Sequence, residues 1–309
     1  FRSCRFVTLE NEFIPADVID EAVVEEGFKG TSNVLTPSTK CLATVQDKLL
    51  QRRAYERYGA PSPRAIALES DAEMEIGFPM VLKARFGGYD GKGTRYARDA
   101  KELESHKPLW SQGNWLAEEF VQFKRELAVI VCRSKTQTAC FPTMETIQTD
   151  HVCDLVFPAN VDASEVAIQA VEAVDGYGLF GVELFESEDG EFLVNEIAPR
   201  PHNTGHYTLD WGGVSQFEAH VRLVLGLPVP EPKGVDVCMA NLLGQPGAGD
   251  FREGARAAIQ GDPSVFVHWY GKTEAREGRK MGHINAVGDE CVARAKEARR
   301  RFYEAWTKP

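Results

Sequence analysis

Two glutamates flank a predicted β-hairpin and could together bind a metal ion. Apolar and aromatic residues dominate both sides of Asp189-Gly190, which is a two-residue turn signal. A hairpin closed there pairs Glu188 with Glu191, and counting outward places Glu183 opposite Glu196. Facing carboxylates repel, so this register needs solvent or a cation between them, and hard oxygen ligands suit Mg²⁺. An exposed hairpin with two solvated glutamates is the alternative.

Anion-binding residue types follow the second glutamate closely. Arg200, His202 and Asn203 come shortly after Glu196 in the chain. A guanidinium and two hydrogen-bonding side chains beside a cation could hold a small acid, and they favour the metal-binding interpretation. His206 fits better as a hydrogen-bonded core histidine.

A glycine-dense loop follows the predicted strand that carries Lys83. The segment GGYDGKG, residues 87–93, has four glycines in seven residues, so its backbone N–H groups could approach a phosphate closely. A flexible hairpin tip is the alternative, and the segment matches neither a Walker motif nor a dinucleotide fingerprint. Lys83 and Lys48 could neutralise phosphate oxygens, although each could equally be a surface lysine.

Another apolar strand ends in Glu118-Glu119-Phe120-Val121 and is followed by Glu126. Backbone groups at such a strand end can hydrogen-bond to an adenine edge, and a nearby carboxylate can bind ribose hydroxyls. Spacing alone makes this a hypothesis.

The elements that must position these groups are mixed strands and helices. Predicted strands cover residues 5–9, 79–85, 115–121, 127–132, 235–243, 265–270 and 282–286, besides the hairpin. Predicted helices cover residues 15–24, 44–58, 100–106, 163–174 and 216–225, and an amphipathic helix surrounds the basic run 294–301. This mixture favours α+β layers, and three prolines in 226–233 suggest a domain junction.

Composition narrows the function classes. A chain of 309 residues with 43% apolar and 26% charged residues is typical of a globular protein of about two domains. No apolar stretch approaches a membrane span and no leader pattern is present, so a cytoplasmic location is expected. Seven scattered cysteines without a Cys-x-x-Cys pair argue against a disulfide framework or zinc site, and a net charge of -11 argues against nucleic-acid binding.

The chain resembles the ATP-grasp superfamily in the order of its candidate groups. These are the helix lysine, the strand lysine, the glycine-rich loop, the strand-end segment and the late glutamate pair. More specifically, the chain resembles the 5-(carboxyamino)imidazole ribonucleotide synthetase family. This resemblance rests on GGYDGKG at 87–93, NEIAPRPHNTGHYT at 195–208, SQFEAH at 215–220, and HWYGK and GRKMGHI within 268–284. The motifs are specific in combination.

The resemblance implies an α+β, ATP-grasp fold of three parts. A truncated N-terminal Rossmann-like (pre-ATP-grasp) domain would cover residues 1–40, and the ATP-grasp domain 41–228, with a lid subdomain at about 64–120. A small β-rich C-terminal domain would cover 229–309. Family members begin with a Rossmann-like unit that helps bind the ribonucleotide phosphate, and this chain is expected to start after its glycine-rich loop.

The resemblance also implies roles for individual residues. Lys48 and Lys83 would contact ATP phosphates, Glu126 the ribose, and Glu183 and Glu196 Mg²⁺ or Mn²⁺. The full ATP-binding set would be Lys48, Lys83, Gly88, Tyr89, Asp90, Gly91, Lys92, Gly93, Thr94, Glu118, Glu119, Phe120, Val121, Glu126, Gln148, Asn195 and Glu196. The substrate-binding set would be Lys92, Arg200, His202, Asn203, Lys272, Arg279 and Lys280. The catalytic set would be Tyr89, Asp90, Arg200, His202, Asn203 and Lys272.

The reaction that the resemblance implies joins bicarbonate to an amine. ATP would phosphorylate bicarbonate to carboxyphosphate, which would deliver its carboxyl carbon, as CO₂, to the exocyclic amine of aminoimidazole ribonucleotide in purine biosynthesis. Asp90 would take the amine proton, a closed lid would exclude water, and the protein would be a homodimer.

Three alternatives remain open. A formate-dependent glycinamide ribonucleotide transformylase usually has aspartate where this chain has Asn203, and the run 278–284 also favours the carboxylating family. Biotin carboxylase has a longer C-terminal domain and a different lid. A noncatalytic nucleotide-binding protein on a truncated ATP-grasp scaffold is disfavoured because both lysines and both hairpin glutamates are present.

Overall fold

The computed structural model describes residues 4–25, 35–68, 76–88, 93–111 and 113–307. The strands in these residues are β1 (Val7–Thr8), β2 (Leu35–Thr36), β3 (Ala65–Ala67), β4 (Met80–Ala84), β5 (Thr94–Ala97), β6 (Trp115–Glu119), β7 (Phe123–Arg133), β8 (Thr138–Cys140), β9 (Met144–Thr149), β10 (Val152–Pro158), β11 (Gly178–Ser187), β12 (Phe192–Ala198), β13 (Val237–Leu243), β14 (Val265–Trp269) and β15 (Lys280–Val287). The helices are α1 (Ala16–Glu25), α2 (Thr39–Gln46), α3 (Lys48–Tyr58), α4 (Ala100–Ser105), α5 (Lys107–Trp110), α6 (Ser164–Ala173), α7 (Gln216–Val224), α8 (Phe251–Gly261) and α9 (Cys291–Trp306), with a 3₁₀ helix at Asn203–Leu209.

The strands form three sheets within the described residues. Nine strands make one antiparallel sheet in the order β12-β11-β7-β9-β10-β13-β15-β14, with β8 paired to β7 outside this path. A four-stranded sheet has the order β3-β6-β4-β5 and covers the range predicted for the lid, while β1 and β2 form a short parallel pair. Helices and strands mix as an α+β architecture, as predicted. None of the helices described here combines the length and apolar character that crossing a membrane requires.

The predicted helix over 44–58 is in fact two helices, and Asp47 is the reason. Its backbone is extended, at φ -107° and ψ 105°, so α2 ends before it and α3 begins after it. The Asp47 carboxylate accepts hydrogen bonds from the backbone N–H of Leu49 and Leu50, a normal N-cap. Arg85 also binds this carboxylate, at 2.6 Å. Lys48 therefore stands in the first turn of a new helix.

The hairpin of β11 and β12 keeps the predicted pairing but reaches it by a different route. The loop has three residues, because the Ser187 N–H binds the carbonyl of Glu191 at 2.9 Å, and Gly190 adopts φ +83°. The predicted pair of Glu188 with Glu191 is therefore wrong. A β-bulge after Glu183 shifts the register back by one residue and restores Glu183 opposite Glu196.

Strand β7 is buried on both of its faces, which explains its apolar sequence. Leu127, Val129 and Val131 pack in a core with α3 and α6, while Ile130 and Cys132 pack in a second core with α7. The strand thereby fixes the helices that flank the hairpin, since β11 pairs with β7 along its whole length. Burial on both faces makes a near-continuous apolar run.

The C-terminal strands extend the main sheet. Leu155 of β10 pairs with Ala240 of β13, and a third core packs α8 and α9 against β13 and β15. The boundary predicted near residue 229 therefore falls within one continuous sheet, and the three-part division stays a prediction.

Candidate active site

A cleft of about 1140 Å³ is lined by residues of both large sheets. Lys83 and Glu118 come from the four-stranded sheet, and Glu183 and Glu196 from the hairpin of the nine-stranded sheet. Most of the predicted site residues that the structure describes line this cleft. Tyr89, Asp90, Gly91 and Lys92 lie outside the described residues.

The bulge in the hairpin has a direct consequence for the cleft. Alternation along a strand sends neighbouring side chains to opposite faces, yet the Asn195 side chain contacts Lys83 and the Glu196 side chain contacts Lys48, and both lysines line the cleft. Glu196 forms an ion pair with Lys48. Although burial disfavours the Glu196 carboxylate, Lys48, Lys83 and Arg52 hold its pKa below the usual range.

Glu183 is the member of the glutamate pair whose ionised form is disfavoured. Burial, followed by the charges of Glu196 and Glu126, raises the pKa of Glu183 to about 7. The described residues contain no group of three or more His, Cys, Asp or Glu side chains that could hold a metal ion by itself. Two facing carboxylates fit a hard divalent cation whose other ligands are phosphate oxygens and water.

A buried ion network holds the strand lysine. Glu118 binds Lys83 at 2.6 Å and Arg52 at 2.7 Å, and all three side chains are largely buried. Lys83 also lies 3.3 Å from the Asn195 side-chain oxygen. Burial lowers the pKa of Lys83, while Glu118 opposes that shift.

Arg52 is a site residue that the sequence analysis missed. Besides Glu118 it donates to the carbonyls of Val194 at 3.1 Å and Asn195 at 2.7 Å, so it joins α3 to strands of both sheets. An arginine in a helix with many charged residues gives no sequence signal of burial.

The four residues predicted to hold adenine, 118–121, lie in different environments. Glu118 pairs with Ala65 and Val81 on the two neighbouring strands, and its carboxylate belongs to the buried network. The Glu119 side chain binds Arg64 at 3.2 Å. Phe120 and Val121 follow the end of β6 and line the cleft.

The predicted ribose ligand Glu126 also lies in the cleft. It hydrogen-bonds to Gln148, and burial raises its pKa. Gln148 comes from β9, opposite Cys153 of β10. The two predicted nucleotide residues are brought together because β9, a strand that the sequence analysis did not predict, pairs with β7, the strand of Glu126.

The loop after Glu196 is held from behind by Gln216, at the start of α7. The Gln216 amide accepts from the backbone N–H of His202 at 2.9 Å and donates to the His202 carbonyl at 2.8 Å. Gly181 makes room for this loop, since a Cβ there would lie 2.4 Å from the Cβ of His202. Burial, helped by Arg200 and Lys280, lowers the pKa of His202 well below its usual value, so the ring is neutral.

Two protein-family models match segments of the chain that contain most of the residues lining the cleft. A model described as the ATP-grasp domain matches residues 53–217, and one described as the phosphoribosylaminoimidazole carboxylase C-terminal domain matches residues 237–298. The chain is 39% identical to the N5-carboxyaminoimidazole ribonucleotide synthase of Synechococcus elongatus, over 96% of this chain and 78% of that protein. It is 38% identical to the phosphoribosylaminoimidazole carboxylase of Ogataea methanolica, over 94% of this chain and 56% of that protein.

The chain belongs to the N5-carboxyaminoimidazole ribonucleotide synthase family. Solved structures agree. The Aspergillus clavatus synthase complexed with ATP superposes with a TM-score of 0.84 at 32% identity, covering 98% of this chain and 83% of that one. The same synthase with ADP and 5-aminoimidazole ribonucleotide gives 0.84 at 31% identity, covering 98% and 82%. These matches confirm the predicted ATP-grasp fold and family.

Arg200, a substrate-binding residue by resemblance to the synthase family, is held by an acidic partner here. Its Nε and one terminal nitrogen bind the carboxylate of Glu12, the latter at 2.8 Å, and the other terminal nitrogen donates to the Pro201 carbonyl at 3.1 Å. Among the described residues, these are the hydrogen bonds that the Arg200 guanidinium makes. Each of its two terminal nitrogens therefore has one further N–H that can donate to an anion.

Asn203, which the sequence analysis used to favour the carboxylating family over the formate-dependent one, forms a reciprocal amide pair. It donates to the Asn241 side-chain oxygen at 3.1 Å and accepts from the Asn241 amide at 2.7 Å. Asn241 is fully buried and also binds the carbonyl of Cys153 at 2.8 Å. The pairing fixes which way the Asn203 amide faces. His206, predicted as a hydrogen-bonded core histidine, contacts Gln216 at 2.8 Å, but it is half-buried and lines the cleft, so the core placement was wrong.

The C-terminal basic residues of the synthase motif fall into two groups. Lys272 and Lys280 line the cleft, and the Lys272 ammonium donates to the Lys280 carbonyl at 2.7 Å. Arg279 donates to the Glu274 carbonyl at 3.0 Å and is not among the described residues that line the cleft.

Both ends of the glycine-rich loop that is predicted to act as a lid border the cleft. Gly88, Gly93 and Thr94 line the cleft. Gly93 has φ +84° and its carbonyl accepts from the Ala84 N–H at 2.8 Å, so glycine suits both the backbone angle and the close approach.

Proposed function

We propose that this chain catalyses the ATP-dependent carboxylation of 5-aminoimidazole ribonucleotide with bicarbonate. The products would be 5-(carboxyamino)imidazole ribonucleotide, ADP and phosphate. The observation that carries the proposal is the juxtaposition, in one cleft, of the facing pair Glu183 and Glu196 with the loop that presents Arg200 and His202. Membership of the synthase family supports the choice of substrates.

The first step would transfer the γ-phosphoryl group of ATP to bicarbonate. Bicarbonate is a weak electrophile, and phosphorylation gives its carbon a leaving group. Lys48, which pairs with Glu196, and Lys83, which lies 3.3 Å from the Asn195 side-chain oxygen, would neutralise phosphate oxygens as charge develops on the transferred group. Glu183 and Glu196 would hold Mg²⁺ or Mn²⁺, which when bound shields the negative charge of the phosphates.

The acid-binding groups would hold bicarbonate in line with the phosphate. His202 is neutral, and its Nδ1 pairs with the Thr204 hydroxyl at 2.9 Å, which leaves Nε2 directed toward the side of Glu183. A neutral imidazole can donate one hydrogen bond to a ligand oxygen without adding charge. Arg200 would add a charge-assisted contact through its remaining N–H groups.

The second step would release CO₂ from carboxyphosphate next to the amine of the ribonucleotide. The amine nitrogen would attack CO₂, forming the new C–N bond, and Asp90 of the lid would accept the proton that the nitrogen loses. Lys272 and Lys280 would bind the ribonucleotide anion. A homodimer, implied by the family resemblance, and a cytoplasmic location, expected from the sequence, complete the proposal.

A phosphate-release assay with a matrix of substrates tests the proposal. Release from ATP should require both bicarbonate and aminoimidazole ribonucleotide. Release that needs formate and glycinamide ribonucleotide would favour the transformylase alternative. ATP binding with no release under either pair would favour the noncatalytic alternative.

A further inference from the structure

Tyr270 and His283 form a hydrogen-bonded pair that the proposed reaction leaves without a role. Tyr270 follows the end of β14 and lines the cleft, and its hydroxyl oxygen lies 2.7 Å from Nδ1 of His283. His283 lies in the middle of β15 and is only 1% exposed. The pair therefore connects the wall of the cleft to the buried layer behind it.

His283 must be neutral, so only one of its two ring nitrogens carries a hydrogen. Burial, together with the nearby rings of His206 and His268, lowers the pKa of His283 to about 2. Its other ring nitrogen, Nε2, is buried and has no hydrogen-bond partner among the described residues. The His268 ring is stacked on it at a centroid distance of 4.5 Å.

Two tautomers are compatible with the 2.7 Å contact, and they differ in what is left unpaired. If Nε2 carries the hydrogen, a buried N–H donor has no acceptor. If Nδ1 carries it, the unpaired atom is an acceptor lone pair, and a buried donor without a partner is the rarer condition in proteins. The second tautomer is favoured, and in it the Nδ1–H of His283 donates to the Tyr270 oxygen.

This assignment determines where the tyrosine hydrogen can point. The hydroxyl stays protonated because burial raises the pKa of Tyr270. Its hydrogen cannot be shared with His283 when Nδ1 is itself the donor, so it is available to a ligand. The Lys272 ammonium lies 5.5 Å from the centre of the Tyr270 ring, and Lys272 and Lys280 both line the cleft here. The positive charges of Lys272 and Lys280 favour an anionic ligand in this part of the cleft.

We propose that the Tyr270 hydroxyl donates a hydrogen bond to an anionic oxygen of a substrate in the cleft, and that His283 is the positioning residue that sets the direction of this bond. The oxygen belongs to bicarbonate or to the ribonucleotide phosphate. The inference rests on the proposed function, because it assigns a ligand contact within the same site.

The kinetic test is Tyr270→Phe, which removes the hydroxyl and little volume. Because a hydrogen bond to a charged group is lost, KM for the substrate that it contacts should rise about tenfold or more while KM for ATP changes less than twofold. An increase for bicarbonate or for the ribonucleotide identifies which oxygen is bound. Tyr207→Phe is the matched control, since the buried Tyr207 hydroxyl has no hydrogen-bond partner among the described residues. Unchanged KM values for both substrates in Tyr270→Phe would overturn the proposal.

The tautomer is tested independently of turnover by ¹⁵N NMR of the histidine rings, with His283→Gln used to assign the signal. The expected result is a protonated Nδ1 and an unprotonated Nε2, and the reverse would overturn the proposal. If the wild type releases no phosphate, the proposed function fails, whereas the tautomer measurement still decides the direction of the bond between Tyr270 and His283. If the wild type is active and Tyr270→Phe behaves identically, only this inference fails.

Discussion

Replacing Glu118 with glutamine should destabilise the fold by about 3 to 5 kcal/mol, because it leaves two buried cations without their shared carboxylate. Glu118 is 2% exposed and lies within 2.7 Å of both Arg52 and Lys83. Glutamine keeps the shape but can neutralise neither charge. The free energy of unfolding in urea measures the loss.

The pKa of Glu118 gives a second route to this magnitude. Burial alone would raise it, but Arg52 and Lys83 lower it from 4.5 to about 2. A difference of that size between folded and unfolded chains is worth about 3 kcal/mol. Since the folded pKa lies below the unfolded one, this stability is present above about pH 4.5 and is lost as the pH falls toward 2. The gap between wild type and Glu118→Gln should close over that range.

Glu119→Gln is the matched control for this prediction. The Glu119 carboxylate pairs with Arg64 at 3.2 Å, but both side chains are about half exposed, so the loss should stay below about 1 kcal/mol. Equal losses in the two variants, or a Glu118→Gln protein within about 1 kcal/mol of wild type at pH 7, would refute the ion-network account.

Three further predictions concern the cleft. Glu196→Gln should reduce ATP turnover at least about 100-fold by removing a proposed metal ligand, while Glu188→Gln in the hairpin loop should leave turnover unchanged; normal Mg²⁺-dependent activity in Glu196→Gln would contradict the metal assignment. Gly181→Ala should displace His202, costing about 1 to 3 kcal/mol in urea unfolding and most bicarbonate-dependent phosphate release, and wild-type kinetics would exclude the steric argument. Arg52→Lys keeps the charge but not the fork, so KM for ATP should rise about tenfold in steady-state assays; an unchanged KM would remove Arg52 from the site.

The glutamate pair shows both the reach and the limit of sequence reasoning. Alternation of side chains and a turn signal were enough to place Glu183 opposite Glu196, which the structure confirms. The turn itself was wrong by one residue, and a bulge after Glu183 compensated for that error. A bulge leaves no turn-like signature in composition, yet it explains how the neighbouring side chains of Asn195 and Glu196 both contact lysines of the cleft.

The sequence did not reveal the residues whose contacts depend on their being buried by tertiary packing. Arg52 and Gln216 both look like surface residues of amphipathic helices. Only tertiary packing brings Arg52 into contact with strands of both sheets, and only tertiary packing brings Gln216 to the backbone of His202. The hairpin of β9 and β10 was also missed. Its turn residues, Asp150 and His151, take φ values of 51° and 64°; the turn rules favour Asp at the first of these positions but Gly, not His, at the second.

Strands of the central sheet were easier to predict because burial on both faces makes their sequences continuously apolar, as in β7. The helix over 44–58 was predicted in the right place, but its interruption was not. Asp47 is compatible with a helix interior as well as with a cap, and its carboxylate bond to Arg85, far away in sequence, was not visible.

The most direct test of the central claim follows oxygen from bicarbonate. With ¹⁸O-labelled bicarbonate, ATP and aminoimidazole ribonucleotide, transfer of the γ-phosphoryl group to a bicarbonate oxygen predicts that the released phosphate carries one ¹⁸O atom per turnover, detected by mass spectrometry. Phosphate without label, released at the same rate, would mean that water attacks ATP. That result would contradict the carboxyphosphate mechanism.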